Sequence, residues 1–167
     1  HLALQGGGAH GAFTWGALDA LLQDDRLAFA GISGASAGAI NAIALAHGWA
    51  DALDRGSDPA EGARAALAHI WAQIGELNAR NGNAARLARF MLGVLPGALT
   101  QVSPYQVNPL DINPLRELVE REIDFERIAQ LEFPRVFVSA TDVETGQARI
   151  FCGKRLNVDA VMASTCL

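Results

Sequence analysis

A serine between closely spaced glycines is the first feature of this sequence that could do chemistry. Ser36 lies in GASAG at residues 34–38, which fits the pattern G-x-S-x-G. A short apolar stretch that predicts a strand precedes the pattern, and small residues that predict a helix follow it. In a strand–turn–helix setting, such a serine is exposed at a helix N-terminus, and Gly34 and Gly38 allow the sharp turn. The pattern therefore predicts that Ser36 is a nucleophile.

A glycine cluster about thirty residues upstream could supply the other half of an acyl-transfer site. Gly6, Gly7 and Gly8 have no side chains, so their amide groups can turn toward one point. The tetrahedral intermediate of acyl transfer carries an oxyanion that needs such donors. We expect these three residues to form an oxyanion hole beside Ser36, with His10 and Gly11 completing the loop.

The same loop also fits a dinucleotide-binding fingerprint. Residues 6–11 satisfy G-x-G-x-x-G between a predicted strand and a predicted helix. That fingerprint expects an acidic residue at the end of the second strand, where this chain has GISG at residues 31–34. The Gly-Lys-Ser/Thr of a P-loop is absent as well. Nucleotide binding is therefore the less favoured interpretation.

The elements that must position these residues alternate between strand and helix. Apolar stretches predict strands at residues 1–5, 29–33, 135–140 and 148–152, with a hairpin turn at 144–146. Helical spacing predicts helices at residues 12–22, 39–47, 59–80, 84–95, 114–123, 124–128 and 159–166. Residues 51–57 are expected to form a loop, and NGN at 81–83 to end a helix. This order is typical of one α/β domain, over residues 1–167, with a mainly parallel sheet.

Capping residues mark several of the predicted helix starts. Asp58 precedes Pro59, which suits the first position of a helix. Asn113 precedes another proline, and the last helix could be capped by Asn157 or Asp159.

Composition narrows the class of function. The chain has 167 residues, of which half are hydrophobic, with 13 Lys+Arg against 18 Asp+Glu and a net charge of −5. That length and apolar content suit a single domain with a core and exclude a disordered chain. The acidic balance argues against nucleic acid as a partner. No apolar run reaches the roughly 18 residues of a membrane span.

Cysteine use gives little further information. Cys152 and Cys166 form neither a metal-ligand cluster nor a disulfide framework, and we expect both to be small buried residues. No cofactor and no metal are expected. No signal peptide is visible, and the low cysteine content slightly favours the cytoplasm while leaving secretion open.

Four stretches together resemble the patatin-like phospholipases. They are QGGGAHG at residues 5–11, GISGASAGAINA at 31–42, SATDVETG at 139–146 and DAVMASTCL at 159–167. The resemblance implies a three-layer α/β/α fold with a mainly parallel central sheet. It also implies a lipid acyl hydrolase that uses a Ser–Asp dyad, with Ser36 as nucleophile and Gly6–Gly8 as oxyanion hole. The substrate would be a phospholipid or another acyl lipid, and peripheral membrane contact is compatible with it.

The sequence departs from the family pattern at two places. His10 stands where the family usually has Lys or Arg, and a histidine there is not always charged at neutral pH. The family's catalytic aspartate lies in an Asp-Gly-Gly or Asp-Gly-Ala motif downstream of the run that ends at Leu167, and these 167 residues contain no such motif. Asp159 is predicted to be a helix cap and Asp142 a structural residue. The base is therefore expected beyond Leu167, in a part of the fold that this chain lacks.

A histidine is the alternative base. His1 begins the chain, His10 lies in the glycine loop, His47 is predicted near a helix end, and His69 is predicted to be a partly buried residue of an amphipathic helix. None follows Ser36 in the order that an α/β-hydrolase triad requires, so a conventional triad is not favoured.

Two further questions stay open from sequence. Phe90, Met91, Leu92, Val94 and Leu95 could line an acyl groove, contact a membrane, or form a helix core or lid. The chain could also be a non-catalytic lipid-binding or regulatory domain that keeps the fold without a complete dyad. The sequence does not indicate the lipid headgroup, the position of cleavage or the oligomeric state.

Overall fold

The structure is a computed structural model that describes residues 1–24, 26–92 and 113–165. Within these ranges, four strands form one open sheet in the order β1-β2-β3-β4. The strands are β1 (Leu2–Leu4), β2 (Gly31–Gly34), β3 (Arg135–Thr141) and β4 (Ala148–Cys152). Strands β1, β2 and β3 are parallel, while β4 returns antiparallel to β3 as the second arm of the predicted hairpin. The predicted α/β class with a mainly parallel sheet is confirmed.

Helices connect the strands of this sheet. Those in the described ranges are α1 (Gly11–Leu22), α2 (Ala37–Asp54), α3 (Pro59–Leu92), α4 (Pro114–Glu122), α5 (Phe125–Gln130) and α6 (Val158–Thr165). Short 3-10 turns lie at Gly8–His10 and Gly153–Arg155. The predicted caps of α3 and α4 are confirmed, since Asp58 accepts from the Ala60 amide and Asn113 accepts from the Leu115 and Arg116 amides.

Helix α2 is the centre of the core. Ile43 and Leu45 are fully buried, and burial of each contributes about 1.5–3 kcal/mol relative to exposure. The helix packs against α3 on one side and against β2 and β3 on the other. Small residues make this close packing possible, because a side chain at Gly48 would run into the Gly62 backbone of α3.

Two predicted helix boundaries are wrong. Helix α2 continues to Asp54, through residues that were expected to form a loop. The reason is tertiary, because Arg127 of α5 binds Asp51 at 2.8 Å and Asp54 at 3.1 Å. Helix α3 runs unbroken through residues 81–83 to Leu92. Residues 84–92, which were expected to belong to a separate helix at 84–95, therefore continue α3.

Candidate active site

Ser36 occupies a strained turn between β2 and α2. It is the N-cap residue of α2, with φ 53° and ψ −122°, and it is the single non-glycine residue with positive φ in the described part of the chain. The turn is closed by the Gly38 amide, which donates to the Ala35 carbonyl at 2.8 Å, and by the Ala39 amide, which donates to the Ser36 carbonyl at 2.9 Å. Such a conformation costs about 1–3 kcal/mol and persists only where the surroundings enforce it.

Glycines enforce the turn by letting three backbone segments touch. A Cβ on Gly38 would overlap the Leu4 carbonyl at the end of β1, and a Cβ on Gly34 would overlap the Gly38 carbonyl. The Ala35 amide also donates to the Leu4 carbonyl at 3.2 Å. The G-x-S-x-G spacing therefore serves a close contact among the end of β1, the end of β2 and the start of α2.

The glycine loop lies directly against Ser36, as the sequence predicts. A Cβ built on Gly6 would lie 3.0 Å from the Ser36 Cβ and 3.7 Å from its Oγ. Gly8 has φ +56°, a conformation that favours glycine, and it lines the same cavity as Ser36. Within the described residues, the amides of Gly6, Gly7 and Gly8 donate to no other protein group. These amides are therefore available to a ligand.

His10 orients one of the loop's peptide groups. Its backbone amide and its Nδ1 each lie 3.1 Å from the Gly7 carbonyl, so Nδ1 carries a proton in this bond, because a carbonyl can only accept. The peptide between Gly7 and Gly8 is planar and trans, so the Gly8 N–H points away from that carbonyl. A histidine in place of the family's Lys or Arg thus contacts the loop backbone from an exposed position.

Two residues of α2 that the spacing argument did not single out also belong to the site. The Ala37 amide, directly after the serine, has no acceptor within the described residues and lies where nucleophile elbows supply an oxyanion donor. Asn41 is fully buried, and it donates to the Gly11 carbonyl at 3.0 Å while accepting from Trp71 Nε1 at 2.8 Å. Asn41 thereby ties the end of the glycine loop to α3.

A cavity of about 270 Å³ opens beside Ser36. Its lining includes Gly8, Ser36 and Thr165, the last residue of α6. The remaining lining is apolar or aromatic: Ala9, Ala37, Ile40, Trp71, Ile74 and Leu115. A serine in the lining of a mostly apolar pocket suits a substrate with one hydrocarbon part and one polar reacting group.

The two aspartates nearest to family motifs are engaged elsewhere. Asp142 accepts from the Thr145 amide at 3.0 Å and from Arg149 Nη2 at 3.1 Å, and these bonds, with the Thr145 bond first, lower the pKa of Asp142. Asp159 is exposed and pairs with Arg116 at 2.7 Å. The prediction that Asp159 caps the last helix is wrong, because Asn157 accepts from the Ala160 amide at 2.9 Å.

No histidine within the described residues hydrogen-bonds to Ser36. His47 lies inside α2 rather than near its end, and its Nδ1 accepts from the Asp124 amide at 3.2 Å. Burial lowers the pKa of His47. His69 is exposed rather than partly buried, and it pairs with Glu122 at 3.0 Å.

The predicted roles of the apolar stretch near residue 90 fall outside the described residues. Phe90, Met91 and Leu92 belong to α3, but their side chains lie outside the described part, as do Val94 and Leu95 entirely. Cys152 is partly exposed, contrary to the expected burial, and Cys166 also lies outside the described residues.

The comparisons with known proteins identify the family. A family model described as "Patatin-like phospholipase" matches residues 2–167. The chain belongs to the patatin-like phospholipase family. The resemblance seen in the sequence motifs is thus confirmed.

One solved structure is similar to this patatin-like chain. It is a chain of the heterodimeric ExoU–SpcU complex from the type III secretion system of Pseudomonas aeruginosa, with 21% sequence identity and a TM-score of 0.48. The match covers 98% of this chain and 35% of that one, so this chain spans about a third of the length of the solved structure. The comparison with curated proteins gave no match.

The described ranges of this patatin-like chain contain neither a membrane-spanning helix nor a metal-binding cluster. No helix there combines the length and apolar content needed to cross a bilayer. The same ranges hold no cluster of three or more His, Cys, Asp or Glu side chains that could bind a metal ion.

Proposed function

We propose that this chain is the nucleophile-bearing domain, residues 1–167, of a serine lipid acyl hydrolase. The reaction is of the phospholipase A type and cleaves ester bonds of phospholipids or other acyl lipids. The observation that carries the proposal is the strained backbone of Ser36, whose hydroxyl borders an apolar cavity and faces the Gly6 end of a loop with free amides.

The arrangement supports a two-step acyl transfer. Ser36 Oγ attacks the ester carbonyl carbon while its proton passes to a base, and a tetrahedral intermediate forms. The amides of Gly6, Gly7, Gly8 and Ala37 donate to its oxyanion at the positive end of the α2 dipole. Collapse expels the alcohol part of the lipid, which takes the proton, and leaves the acyl group on Ser36. Water then attacks this ester in the same way and releases the fatty acid.

The base in this proposal is the aspartate of a Ser–Asp dyad. The family's Asp-Gly-Gly or Asp-Gly-Ala motif is not among the 167 residues, and Asp142 and Asp159 are paired with arginines. Helix α6 supports a position for the motif after this run, because its last residue, Thr165, lines the same cavity as Ser36.

A second function follows from the same observation about the base. Within the described residues, Ser36 Oγ has no carboxylate or imidazole partner. A non-catalytic lipid-binding or regulatory domain would keep the cavity and the loop but would leave the serine unactivated.

Covalent labelling distinguishes the two functions. A fluorophosphonate reacts with an activated serine, and peptide mapping identifies the labelled residue. We expect stoichiometric labelling at Ser36 in a wild-type protein that includes the Asp-Gly-Gly or Asp-Gly-Ala region, and none in its Ser36→Ala variant. Ser57→Ala is the control, because it removes the hydroxyl of an exposed serine that donates to the Ala52 carbonyl away from the site. Labelling of Ser36 in the Ser57→Ala variant should equal that in the wild type.

Turnover of p-nitrophenyl esters and fatty acid release from phosphatidylcholine vesicles test the reaction itself. Both should depend on Ser36. A wild type that binds the vesicles but is never labelled at Ser36 would favour the lipid-binding domain.

A further inference from the structure

Ser164 joins the strained turn to the sheet through two hydrogen bonds. The Ser36 amide donates to Ser164 Oγ at 2.8 Å, and Ser164 Oγ–H donates to the Ser139 carbonyl at 2.7 Å. Ser164 lies in the last turn of α6, whereas Ser139 lies within β3. The bond between the Ser36 amide and the Ser164 hydroxyl is partly buried, and it joins residues that are 128 positions apart in the sequence.

The direction of the two bonds is determined by the backbone groups at their ends. The Ser139 carbonyl can only accept, so the single hydroxyl proton of Ser164 points toward it. A lone pair of Ser164 Oγ is then left for the Ser36 amide. Ser139 itself is held in the sheet opposite Ile150 of β4, which gives the hydroxyl a rigid anchor.

The bond is made at the residue that bears the backbone strain. A residue held in unfavourable backbone dihedrals relaxes unless its surroundings compensate for the energetic cost. Without Ser164 Oγ, the Ser36 amide would lose its acceptor in a partly buried position. The contacts at Gly34 and Gly38 would remain, but the Ser36 peptide would lose the hydrogen bond that fixes its orientation, so Ser36 Oγ could turn away from the amides of the glycine loop.

We infer that Ser164 is a positioning residue that holds the Ser36 turn in its reactive conformation. This inference rests on the proposed function of Ser36. Ser164 also determines which amides serve the oxyanion. Because the Ser36 amide is already engaged, the donors are Ala37 and the glycine loop. Since Thr165 next to it lines the cavity, α6 sets both the orientation of the nucleophile and one wall of its pocket.

Amide hydrogen exchange tests the bridge without any need for activity. In Ser164→Ala, exchange at the Ser36 amide should accelerate by about tenfold or more relative to the wild type, because its acceptor is removed. Ser57→Ala should leave exchange at Ser36 unchanged. Exchange in the core of α2, at Ile43 and Leu45, should be unaltered in both variants, which separates a local effect from a loss of global stability.

The rate of fluorophosphonate labelling tests the consequence for the nucleophile. We expect Ser164→Ala to lower the maximal labelling rate about tenfold or more, with little change in the reagent concentration that gives half of that rate, because a misdirected nucleophile slows the chemical step. Ser164→Cys keeps the size of the side chain but provides a weaker donor and acceptor, so it should give a smaller loss and serves if the alanine variant does not fold.

The outcomes separate this inference from the proposed function. Unchanged exchange at the Ser36 amide in both Ser164 variants would overturn the bridge, whatever the activity. Faster exchange with an unchanged labelling rate would overturn the positioning role. If the wild type is not labelled at all, the proposed function fails and the positioning role with it, whereas the exchange measurement still decides whether the bridge exists.

Discussion

The parallel strands β2 and β3 are neighbours in the sheet and end at the same edge, but the turns that follow them differ in which residue has a positive φ. After β2, the positive φ falls on Ser36, at 53°, and no side chain caps the helix that follows. After β3, it falls on Gly146, at 68°, where an added Cβ would meet nothing within 4 Å. The β3 turn is also closed by a side chain, because the Asp142 carboxylate accepts from the amides of Glu144 and Thr145.

Under the proposed function, this difference separates the turn that presents the nucleophile from a turn that only connects two strands. At β3 the Asp142 carboxylate is engaged by its own turn and by Arg149, and the positive φ falls on a glycine, which adopts it without strain. At β2 the hydroxyl of Ser36 has no acceptor or donor within the described residues, and backbone packing by Gly34 and Gly38 maintains the strain. A side chain that is held rigidly but not bonded locally remains available to a substrate.

The largest expected effect tests whether backbone contact holds the β2 turn. Gly38→Ala places a Cβ inside the Leu4 carbonyl and should lower the free energy of unfolding by about 3 kcal/mol or more. Gly16→Ala is the control, because Gly16 lies in α1 with open space around it and should stabilise the chain by about 1 kcal/mol. Denaturant unfolding of both variants measures the difference, and equal free energies would mean that the β1–α2 contact is not tight.

The next effect concerns the two hydrogen bonds of the buried Asn41 side chain, which connect the glycine loop to α3. Asn41→Leu leaves the Gly11 carbonyl and the Trp71 indole N–H without their partner, and should lower the free energy of unfolding by about 2 kcal/mol. It should also slow labelling of Ser36, because Gly11 ends the glycine loop that is proposed to bind the oxyanion. Urea unfolding and labelling rates check this. A neutral effect on both would show that Asn41 does not anchor the loop.

A reciprocal pair of variants measures the strain directly. Ser36→Gly should raise the free energy of unfolding by about 1 kcal/mol while abolishing labelling, because glycine accepts the positive φ without cost. Gly146→Ser should lower that free energy by about 1 kcal/mol while leaving labelling intact. Ser36→Ala keeps the strain and should not stabilise the chain. If Ser36→Gly and Ser36→Ala had equal stability, the turn would not be strained.

The smallest effect concerns the charge of Asp142. Its pKa in the folded chain lies below the ordinary value, so its stabilising contribution is present above the ordinary aspartate pKa and is lost as the pH falls through the folded-state pKa. Asp142→Asn should remove this acid-side loss and flatten the dependence of stability on pH, with no effect on Ser36 labelling at neutral pH. Thermal unfolding between neutral and acidic pH measures it. An identical pH dependence in both proteins would contradict the carboxylate's role in the turn.

Local sequence signals predicted the short-range features well. The glycines around Ser36 and the caps at Asp58 and Asn113 depend on residues only a few positions away. The positions of β3 and β4 were also predicted, because their alternation and turn residues are local. The same approach failed where distant residues intervene, as at the end of α2, where Arg127 extends the helix by pairing with Asp51 and Asp54.

The amino-acid sequence by itself determined the chemistry that this chain can offer. A serine between glycines and a glycine loop upstream are local patterns, and each makes its turn possible through the absence of a side chain. Only the tertiary structure decided how these parts meet. It placed Gly6 against Ser36, paired Asp159 with Arg116, and brought Ser164 to the Ser36 amide. These contacts join residues far apart in the chain, so they depend on the packing of α2, α6 and the sheet rather than on any local pattern.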